Sequence, residues 1–333
     1  MHDRRPPRRL RRPVFARALA GAALAGLVLG FAGGPARVDA AAPMVHTQAP
    51  GWYRFMLGAF EVTALGDGTI DLAPEKLLKA PPAKTTKSLA QSWLASPVET
   101  SVNAYLVNTG ARLVLIDAGA GALEGPTLGR LAGNLRAAGY LPEQVDDVFL
   151  THLHPDHVGG LVAGGAMVFP HATVHADKRE ADYWLSEATL AKATGDTKTF
   201  VQGAMAALKP YIAAGRFQTF VADAELVPGV RSRATYGHTA GHTSYDVQSR
   251  GQRLLVLGDL VHVGPVQFAD PSVSISFDAD PKAAAAIRAE VFKHAAKEDD
   301  LVAGAHLPFP GIGHVRSLFR GYEWVPVSWS RLP

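Results

Sequence analysis

The sequence predicts an α/β protein of four layers, in which two mixed β-sheets face each other and helices cover their outer sides. Two observations lead to this prediction. Short apolar runs typical of strands alternate with segments of helical spacing in the first half of the 333-residue chain, and the same order returns in the second half. Hydrophobic residues make up 47% of the chain and charged residues 19%, which indicates a globular protein with a sizeable core.

The elements up to residue 214 follow from apolar periodicity and from the turn residues between the apolar runs. Strands are predicted at residues 60–65, 101–108, 112–117, 145–150 and 173–175. A turn is expected at 66–68, a hairpin turn at Thr109-Gly110, and a loop at 80–87, where proline and lysine are frequent. Helices are predicted at 128–138, 178–185 and 200–214.

The second half repeats this order, with strands predicted at 230–236, 243–248, 253–257 and 301–305. Arg250-Gly251 is expected to form the turn between two of these strands. An alanine-rich amphipathic helix is predicted at 281–296, because Pro281 is suited to the first turn of a helix.

Residues 1–40 are predicted to be a secretory signal peptide, followed by a single domain at 41–333. A basic segment with six arginines is followed by an apolar run at 18–32 and by the small-residue cleavage pattern Val38-Asp39-Ala40. The apolar run is short for a membrane span. We therefore expect cleavage, no stable membrane anchoring afterwards, and a periplasmic or secreted protein. An uncleaved anchor is the alternative.

The charge of the chain argues against a nucleic-acid partner. The first 40 residues contain eight arginines and two aspartates, so they carry +6, whereas the whole chain carries +3. The remainder is therefore net negative, and its basic residues are scattered. The chain has no cysteine, which excludes disulfides, a thiol nucleophile and thiolate metal ligands. Any metal ion must be bound by nitrogen and oxygen.

The run from Thr151 to His157, THLHPDH, is the feature that indicates chemistry. In an extended segment His152 and His154 lie on the same side, and Asp156 and His157 project from the turn that follows. One loop could thus hold two cations. Imidazole and carboxylate ligands favour zinc, with cobalt, manganese or iron as alternatives. A solvated surface loop is the competing interpretation, but the apolar strand that leads into the motif argues against it.

Three further candidate metal ligands lie where apolar strands end. His238 stands in the segment YGHTAGH, Asp259 follows LLVLG, and His306 follows LVAGA. An imidazole or a carboxylate at the end of an apolar strand is placed for chemistry rather than for packing. Each could be structural by itself, but together with the first loop they indicate one metal centre.

The motifs HLHPDH, GHTAGH, LGD and AH, in this order, resemble those of the metallo-β-lactamase superfamily. Within that superfamily, SVNAYLVNT at 101–109 and HLPFPGIGH at 306–314 resemble the methyl parathion hydrolase branch, which lies near the acyl-homoserine lactonases. The resemblance extends over about residues 51–330 and implies the metallo-β-lactamase fold, an αβ/βα sandwich.

The resemblance also implies which residues bind the metal ions. It implies two sets of three ligands and one shared carboxylate: His152, His154 and His238; Asp156, His157 and His306; and the bridging Asp259. Asp117, at the end of a predicted strand, would orient the metal loop. His242 would support the site, because the family ligand is the earlier His238; the reverse order is the alternative.

These residues predict an exported, dinuclear metal-dependent hydrolase. Two bridged cations share a hydroxide, because their charge lowers the pKa of water from about 15.7 towards 7. That hydroxide is the expected nucleophile, and Asp259 and Asp156 are the expected catalytic carboxylates. The predicted partner is a small neutral ester, either an organophosphate triester, a lactone or a carboxylic ester. The sequence leaves a homodimer open.

The substrate pocket is predicted from the branch resemblance alone. It places Trp184 and Phe200 along the pocket mouth, with core packing as the alternative, and Phe268 is a further candidate. Glu124 stands where methyl parathion hydrolase has an aromatic residue, and His262 where it has an aliphatic one. If both face the cleft, a lactone or carboxylic ester becomes more plausible than an organophosphate. The alternative for Glu124 is a side chain in water.

Two other functions compete with ester hydrolysis. The first is β-lactam hydrolysis, against which Asp156 and the bridging Asp259 argue, because they depart from the common lactamase ligand sets. The second is a redox iron protein or a non-catalytic metal-binding protein of the same fold. Metal analysis distinguishes them, since two zinc ions per chain with hydrolysis support the hydrolase and iron with oxygen uptake supports the redox protein.

Overall fold

The computed structural model describes residues 42–332, so the predicted signal peptide lies outside the described residues and stays a prediction. The chain divides into two compact units, Met1–Thr47 and Gln48–Pro333. Of the first unit only residues 42–47 are described, and they are exposed and without regular secondary structure. The second unit contains all the described helices and strands. None of these helices combines the length and the apolar character that crossing a membrane requires.

The first large sheet is built from strands of the amino-terminal part of this unit. The strands up to residue 220 are β1 (Trp52–Leu57), β2 (Phe60–Leu72), β3 (Val98–Asn108), β4 (Leu113–Ile116), β5 (Asp147–Phe149), β6 (Val162–Ala163), β7 (Ala166–Met167), β8 (Thr173–Asp177) and β9 (Phe217–Phe220). Seven of them form a sheet in the order β1-β2-β3-β4-β5-β8-β9, and β6 and β7 form a separate pair. The strands are antiparallel from β1 to β4 and parallel from β4 to β9.

The second large sheet also has seven strands. They are β10 (Glu225–Val227), β11 (Val230–Ala234), β12 (Thr243–Ser249), β13 (Gln252–Val256), β14 (Leu301–Ala303), β15 (Ile312–Ser317) and β16 (Tyr322–Pro326). They pair in sequence order, and only β13 and β14 are parallel neighbours. The segment between these two strands, which contains the helices Gly264–Gln267 and Pro281–Glu298, makes the crossover that a parallel pair requires.

Nine α-helices connect or cover the strands of the described chain. They are α1 (Pro74–Leu77), α2 (Pro82–Gln91), α3 (Leu131–Ala137), α4 (Pro155–Val158), α5 (Lys178–Trp184), α6 (Glu187–Lys192), α7 (Gly195–Ala213), α8 (Gly264–Gln267) and α9 (Pro281–Glu298). Three short 3₁₀ turns lie at Pro142–Gln144, Gly159–Leu161 and Gly258–Leu260.

The alternation of side chains along the strands produces the four layers. In β13, Leu254 and Val256 pack into the core between the two sheets, whereas Leu255 points outward to Phe292 of α9. In β4, Ile116 likewise points into the inter-sheet core and Leu115 to the outer helices α3 and α7. Two mixed sheets thus face each other with helices outside, and the predicted fold class is confirmed.

One predicted turn and one predicted loop are wrong. The predicted turn at 66–68 lies inside β2, where the register with β3 shifts between Gly66 and Gly68. This irregularity turns Asp67 inward, and its buried carboxylate accepts hydrogen bonds from the main-chain N–H groups of Ala120, Gly129 and Leu131. The predicted loop at 80–87 is mostly helix α2, which begins with Pro82, a residue tolerated in the first turn of a helix.

Other differences concern the ends of elements and the strands with weak patterns. The helix predicted at 128–138 begins only at Leu131, whose N–H is bound by Asp67. The helix predicted at 200–214 begins earlier, at Gly195. Strands β1, β15 and β16 were not predicted, because their exposed positions interrupt the apolar pattern.

Candidate metal centre

The carboxyl ends of neighbouring strands meet at one edge of the two sheets and bring the predicted ligands together. The loop after β5 contains His152 and His154, of which His154 is extended, and α4 begins directly after His154 with Pro155. The rings of His152 and His154 lie edge to face with centroids 4.5 Å apart. The first turn of α4 carries Asp156 and His157, as the sequence predicts.

All seven predicted ligands converge, although they are spread from residue 152 to residue 306. Two groups made only of predicted ligands have side-chain nitrogen and oxygen atoms close enough for a shared cation: His152, His154, His238 and Asp259, and Asp156, His157 and His306. A third such group, Asp259, His262 and His306, adds His262 to the potential ligands. Within each group the ligand atoms lie within 4.8 Å of one another. Their roles as ligands stay a prediction, but the structure provides the proximity that those roles require.

Asp259 belongs to the first of these groups and also faces the second, with Nε2 of His306 nearly as close to its Oδ2, at 3.3 Å, as to its Oδ1. Its Oδ2 is 3.6 Å from Nε2 of His152 and 3.4 Å from Nε2 of His238. Its Oδ1 is 3.1 Å from Nε2 of His157 and 3.2 Å from Nε2 of His306. This carboxylate is therefore placed to bridge two cations, one on the three-histidine side and one on the side of Asp156.

The donor atoms at the centre fit divalent cations. Among the described residues, Nε2 of His152, Nε2 of His157 and Oδ1 of Asp259 are buried without a hydrogen-bond partner. Burial of such atoms without a partner is costly, and a cation at the centre would satisfy them. Nitrogen and oxygen donors of this kind suit zinc and similar divalent ions.

The pKa shifts of the histidines also indicate a centre that favours cations. Burial lowers the pKa of His152 and of His154, which keeps these rings neutral and able to bind metal. Burial also acts to lower the pKa of His306, but the carboxylates of Asp259 and Asp156 outweigh it and raise the pKa to about 9. The two carboxylates thus attract positive charge to their side of the centre.

Four of the imidazoles are oriented by a hydrogen bond at Nδ1, so that Nε2 faces the centre. His157 donates to Asp117 at 2.8 Å, and His306 donates to the main-chain oxygen of Ser101 at 3.0 Å. His152 donates to Thr151 Oγ1 at 3.0 Å. His238 donates to Asp278 at 2.9 Å. Such contacts fix the tautomer and the orientation of a metal-binding histidine.

His242 occupies both of its ring nitrogens within the protein. Its Nδ1–H donates to the main-chain oxygen of Thr235 at 3.1 Å, and its Nε2 accepts the main-chain N–H of Asp259 at 3.0 Å. Burial lowers its pKa to about 3, so the ring is neutral, as this pattern requires. The side chain holds the backbone of Asp259 in place, which agrees with the supporting role that the resemblance implies.

Asp278 was not predicted as a site residue. It is buried, its Oδ1 accepts from His238, and its Oδ2 accepts the main-chain N–H of Ile275 at 3.0 Å. The sequence offers only the spacing Asp278-Ala279-Asp280-Pro281, in which Asp280 caps helix α9. That pattern indicates the start of a helix and gives no sign of a role for Asp278, whose partner His238 lies 40 residues earlier.

Replacement of Asp278 by asparagine is expected to weaken metal binding. The asparagine amide lacks the negative charge with which Asp278 accepts the hydrogen bond from His238. The loss of such an orienting contact typically costs about 10- to 100-fold in metal affinity. Competition of the apoprotein with a chromogenic zinc chelator measures the change. The matched control is Asp280→Asn, which removes a charge two residues away but keeps a good helix cap, and which should bind zinc normally. Equal affinities for the two variants would contradict the role of Asp278.

Two cavities open onto the centre. A cavity of about 530 Å³ lies on the three-histidine side and is lined by Trp184, Phe200 and Phe277 together with polar side chains. Trp184 and Phe200 pack on the ring of His154, with centroids 5.1 and 5.3 Å away. Trp184 is also part of a buried cluster, so its wall position and its core packing occur together. Phe268 lines neither of the two cavities at the centre and instead stacks on Phe292 in the core at 4.6 Å.

The second cavity, of about 70 Å³, shares His154, Phe200 and Phe277 with the first and extends to Asp156, Asp259 and His306. Ile70, Leu72, Glu124 and His262 line it together with several of the predicted ligands. Burial and the nearby Asp156 raise the pKa of Glu124 to about 7. His262 lies closer to the centre than a pocket wall would, because its Nε2 is 3.0 Å from Oδ2 of Asp259.

Two facing mixed sheets with a histidine and aspartate centre at the strand ends define a metal-dependent hydrolase. The chain belongs to the metallo-beta-lactamase superfamily, since residues 97–306 match the model of that family. The predicted superfamily is thereby confirmed.

Individual relatives agree with the predicted branch. The structure is similar to that of the hydrolase AbOPH of the beta lactamase superfamily, with a TM-score of 0.82 and 39% identity over 86% of this chain and 100% of that chain. It is also similar to AidC, a dizinc quorum-quenching lactonase, with a TM-score of 0.77 and 27% identity over 84% of this chain and 99% of AidC. The uncharacterized protein YobT of Bacillus subtilis (strain 168) is 28% identical over 180 residues, 53% of this chain and 71% of YobT.

Proposed function

We propose that the protein is an exported dinuclear metallohydrolase, most suited to zinc, that cleaves lactones or carboxylic esters and, less well, phosphotriesters. The position of Asp259 is the observation that carries this proposal, because its two oxygens face two separate groups of ligands. The similarity to the lactonase AidC supports the choice of a lactone or ester substrate.

The residues divide into two cation positions. The three-histidine position consists of His152, His154 and His238, and the aspartate position consists of Asp156, His157 and His306. Asp259 would complete both. Two divalent ions, when bound, acidify water and polarise the carbonyl or phosphoryl oxygen of the substrate. No serine, cysteine or lysine nucleophile is then needed.

The cavities set the shape of the proposed substrate. The larger one, of about 530 Å³, is in the range of small-molecule pockets, and its aromatic walls suit an apolar substituent. The smaller one, of about 70 Å³, admits only a small group and presents the polar side chains of Glu124 and His262. This combination favours the polar carbonyl esters over bulky phosphotriesters.

A panel assay of the purified protein tests the proposed function. The apoprotein is reconstituted with zinc, cobalt or manganese and given acyl-homoserine lactones, aryl esters, aryl phosphotriesters and a β-lactam. The expected result is metal-dependent hydrolysis of lactones or aryl esters, with two metal ions per chain and no turnover of the β-lactam. A protein that binds iron and consumes oxygen, or that hydrolyses only the β-lactam, would contradict the proposal.

Replacement of Glu124 by phenylalanine is expected to raise kcat/KM for aryl phosphotriesters by about threefold to tenfold. An aromatic contact contributes about 0.5–1.5 kcal/mol, and a carboxylate no longer has to be desolvated beside the substrate. Steady-state kinetics with an aryl phosphotriester and an aryl carboxylic ester measure the change. The comparison with Glu124→Gln separates loss of charge from gain of an aromatic surface. An unchanged substrate profile in both variants would show that Glu124 does not touch the substrate.

A further inference from the structure

Glu180 is a buried carboxylate that no step of the proposed hydrolysis uses. It lies in α5 and is fully shielded from solvent. Its Oε1 accepts the main-chain N–H of Leu153 at 3.1 Å, and its Oε2 accepts the main-chain N–H of Gly241 at 2.8 Å. A buried carboxylate with two charge-assisted hydrogen bonds is a strong and directional contact.

The two bonded loops are those that carry the three-histidine position. Leu153 lies between His152 and His154, and Gly241 lies three residues after His238. The first loop follows β5 of one sheet, and the second follows β11 of the other. A main-chain bond from Thr243 to Thr151 also joins these loops, at 2.8 Å. Glu180 joins them a second time, beside the histidines.

The absence of a side chain at Gly241 is a second observation that supports this contact, because the backbone of Gly241 lies directly against Glu180. A Cβ placed on Gly241 would lie 2.5 Å from the main-chain nitrogen of Glu180 and 2.9 Å from its Cβ. Only glycine therefore lets the second loop approach α5 to hydrogen-bond distance. Any larger residue would push the loop away from the helix and lengthen the bond to Oε2.

Helix α5 is itself fixed against both loops. Asp177 caps its first turn by accepting the N–H of Arg179, and its other oxygen accepts the hydroxyl of Tyr236, two residues before His238. Trp184, one turn after Glu180, packs on His154. The helix thus provides a rigid support on which Glu180 can set the distance between the loops.

We propose that Glu180 is a positioning residue that clamps the two loops, so that the three-histidine position binds its cation tightly. The proposal rests on the proposed dinuclear centre. Asp117 serves the aspartate position in the corresponding way, because its carboxylate accepts from His157 and from the main-chain N–H of Thr151 at 2.8 Å each. Asp117 also accepts the Thr151 hydroxyl that holds His152, so its loss should weaken both positions, whereas the loss of Glu180 should weaken mainly the three-histidine position.

Two variants open the clamp by different means. Glu180→Gln keeps the shape but turns an NH₂ group towards one of the two main-chain N–H groups, so one hydrogen bond is lost. Gly241→Ala keeps the carboxylate but forces the loop away from α5. Asp117→Asn is the comparison variant, which changes the carboxylate that holds His157 and leaves the Glu180 contacts in place. Glu187→Gln, an exposed substitution in the first turn of α6, is the matched control.

The readout is metal binding to the apoprotein rather than activity. Zinc affinities at both positions are obtained by chelator competition, and the absorption of bound Co(II) separates a position with three histidines from one with two. Glu180→Gln and Gly241→Ala are expected to weaken the three-histidine position by about 10- to 100-fold and the other position by less than about threefold. Asp117→Asn should weaken both positions, because Asp117 holds His157 directly and His152 through Thr151, and Glu187→Gln should bind like the wild type.

Circular dichroism and thermal unfolding of the apoproteins separate positioning from a structural role. In a folded Glu180→Gln protein, equal weakening of both cation positions or an unchanged zinc affinity would overturn the clamp. Two bound cations without ester hydrolysis in the wild type would overturn the proposed function alone. A wild type that binds fewer than two cations would overturn both.

Discussion

Replacement of Asp259 by alanine is expected to lower kcat/KM by more than about 10³-fold and to release at least one cation per chain, while the fold stays largely intact. Bound ions would acidify the attacking water, so the loss of a ligand shared by both positions should cost more than the about 10² to 10³ that follows the loss of one transition-state hydrogen bond. Asp259 faces both groups of ligands, so its loss affects both cation positions at once. The imidazoles of His157 and His306 would also lose the carboxylate that neutralises them.

Elemental analysis of the dialysed protein, steady-state kinetics and circular dichroism together measure this outcome. Asp299→Asn is a suitable control, because Asp299 is exposed at the end of α9 in a left-handed conformation that asparagine tolerates. It should retain two cations and full turnover. Normal turnover or two tightly held cations in Asp259→Ala would refute the bridging role.

Replacement of Arg288 by alanine is expected to lower the free energy of unfolding by about 3–5 kcal/mol, the usual effect of removing one partner from a buried charged group. Arg288 is fully buried in α9, and its guanidinium donates to the main-chain oxygens of Leu260, Pro271 and Val273. Its Nη2 also lies 3.7 Å from Asp278, the residue that orients His238. The substitution would remove the side-chain donor of the Leu260 and Pro271 oxygens and the cationic neighbour of Asp278.

Urea unfolding followed by circular dichroism measures this loss of stability. Arg288→Lys should be intermediate, because a lysine ammonium cannot reproduce the planar set of donors. The exposed Lys293→Ala in the same helix should change stability by no more than about 0.5 kcal/mol. A loss below about 1 kcal/mol in Arg288→Ala would show that the chain can satisfy these carbonyls in another way.

The sequence predicts the centre well where a local pattern carries the signal. His152, Asp259 and His306 each follow a short apolar run, and the four-layer fold brings the ends of those strands to one edge. The fold could be predicted because side chains in strands such as β13 alternate between the two core layers. These features depend on neighbours in the sequence and are therefore visible in it.

The supporting residues could not be predicted, because their partners are distant. Glu180 binds main-chain groups 27 and 61 residues away, and Asp67 binds groups 53 to 64 residues away. In the sequence the first resembles an ordinary helix residue and the second a turn residue between two glycines. The same cause explains why the turn predicted at 66–68 is wrong. Asp67 points inward because it accepts hydrogen bonds from three distant main-chain N–H groups.

The spread of the ligands from residue 152 to residue 306, over loops of both sheets, links the stability of the protein to its ions. An unfolded chain does not hold these segments together, so bound cations would act as removable cross-links between the halves of the sandwich. By mass action, each tenfold rise in free metal above saturation adds about 1.4 kcal/mol per bound ion to the folded state. The resistance of this protein to heat would therefore follow the metal supply of its surroundings.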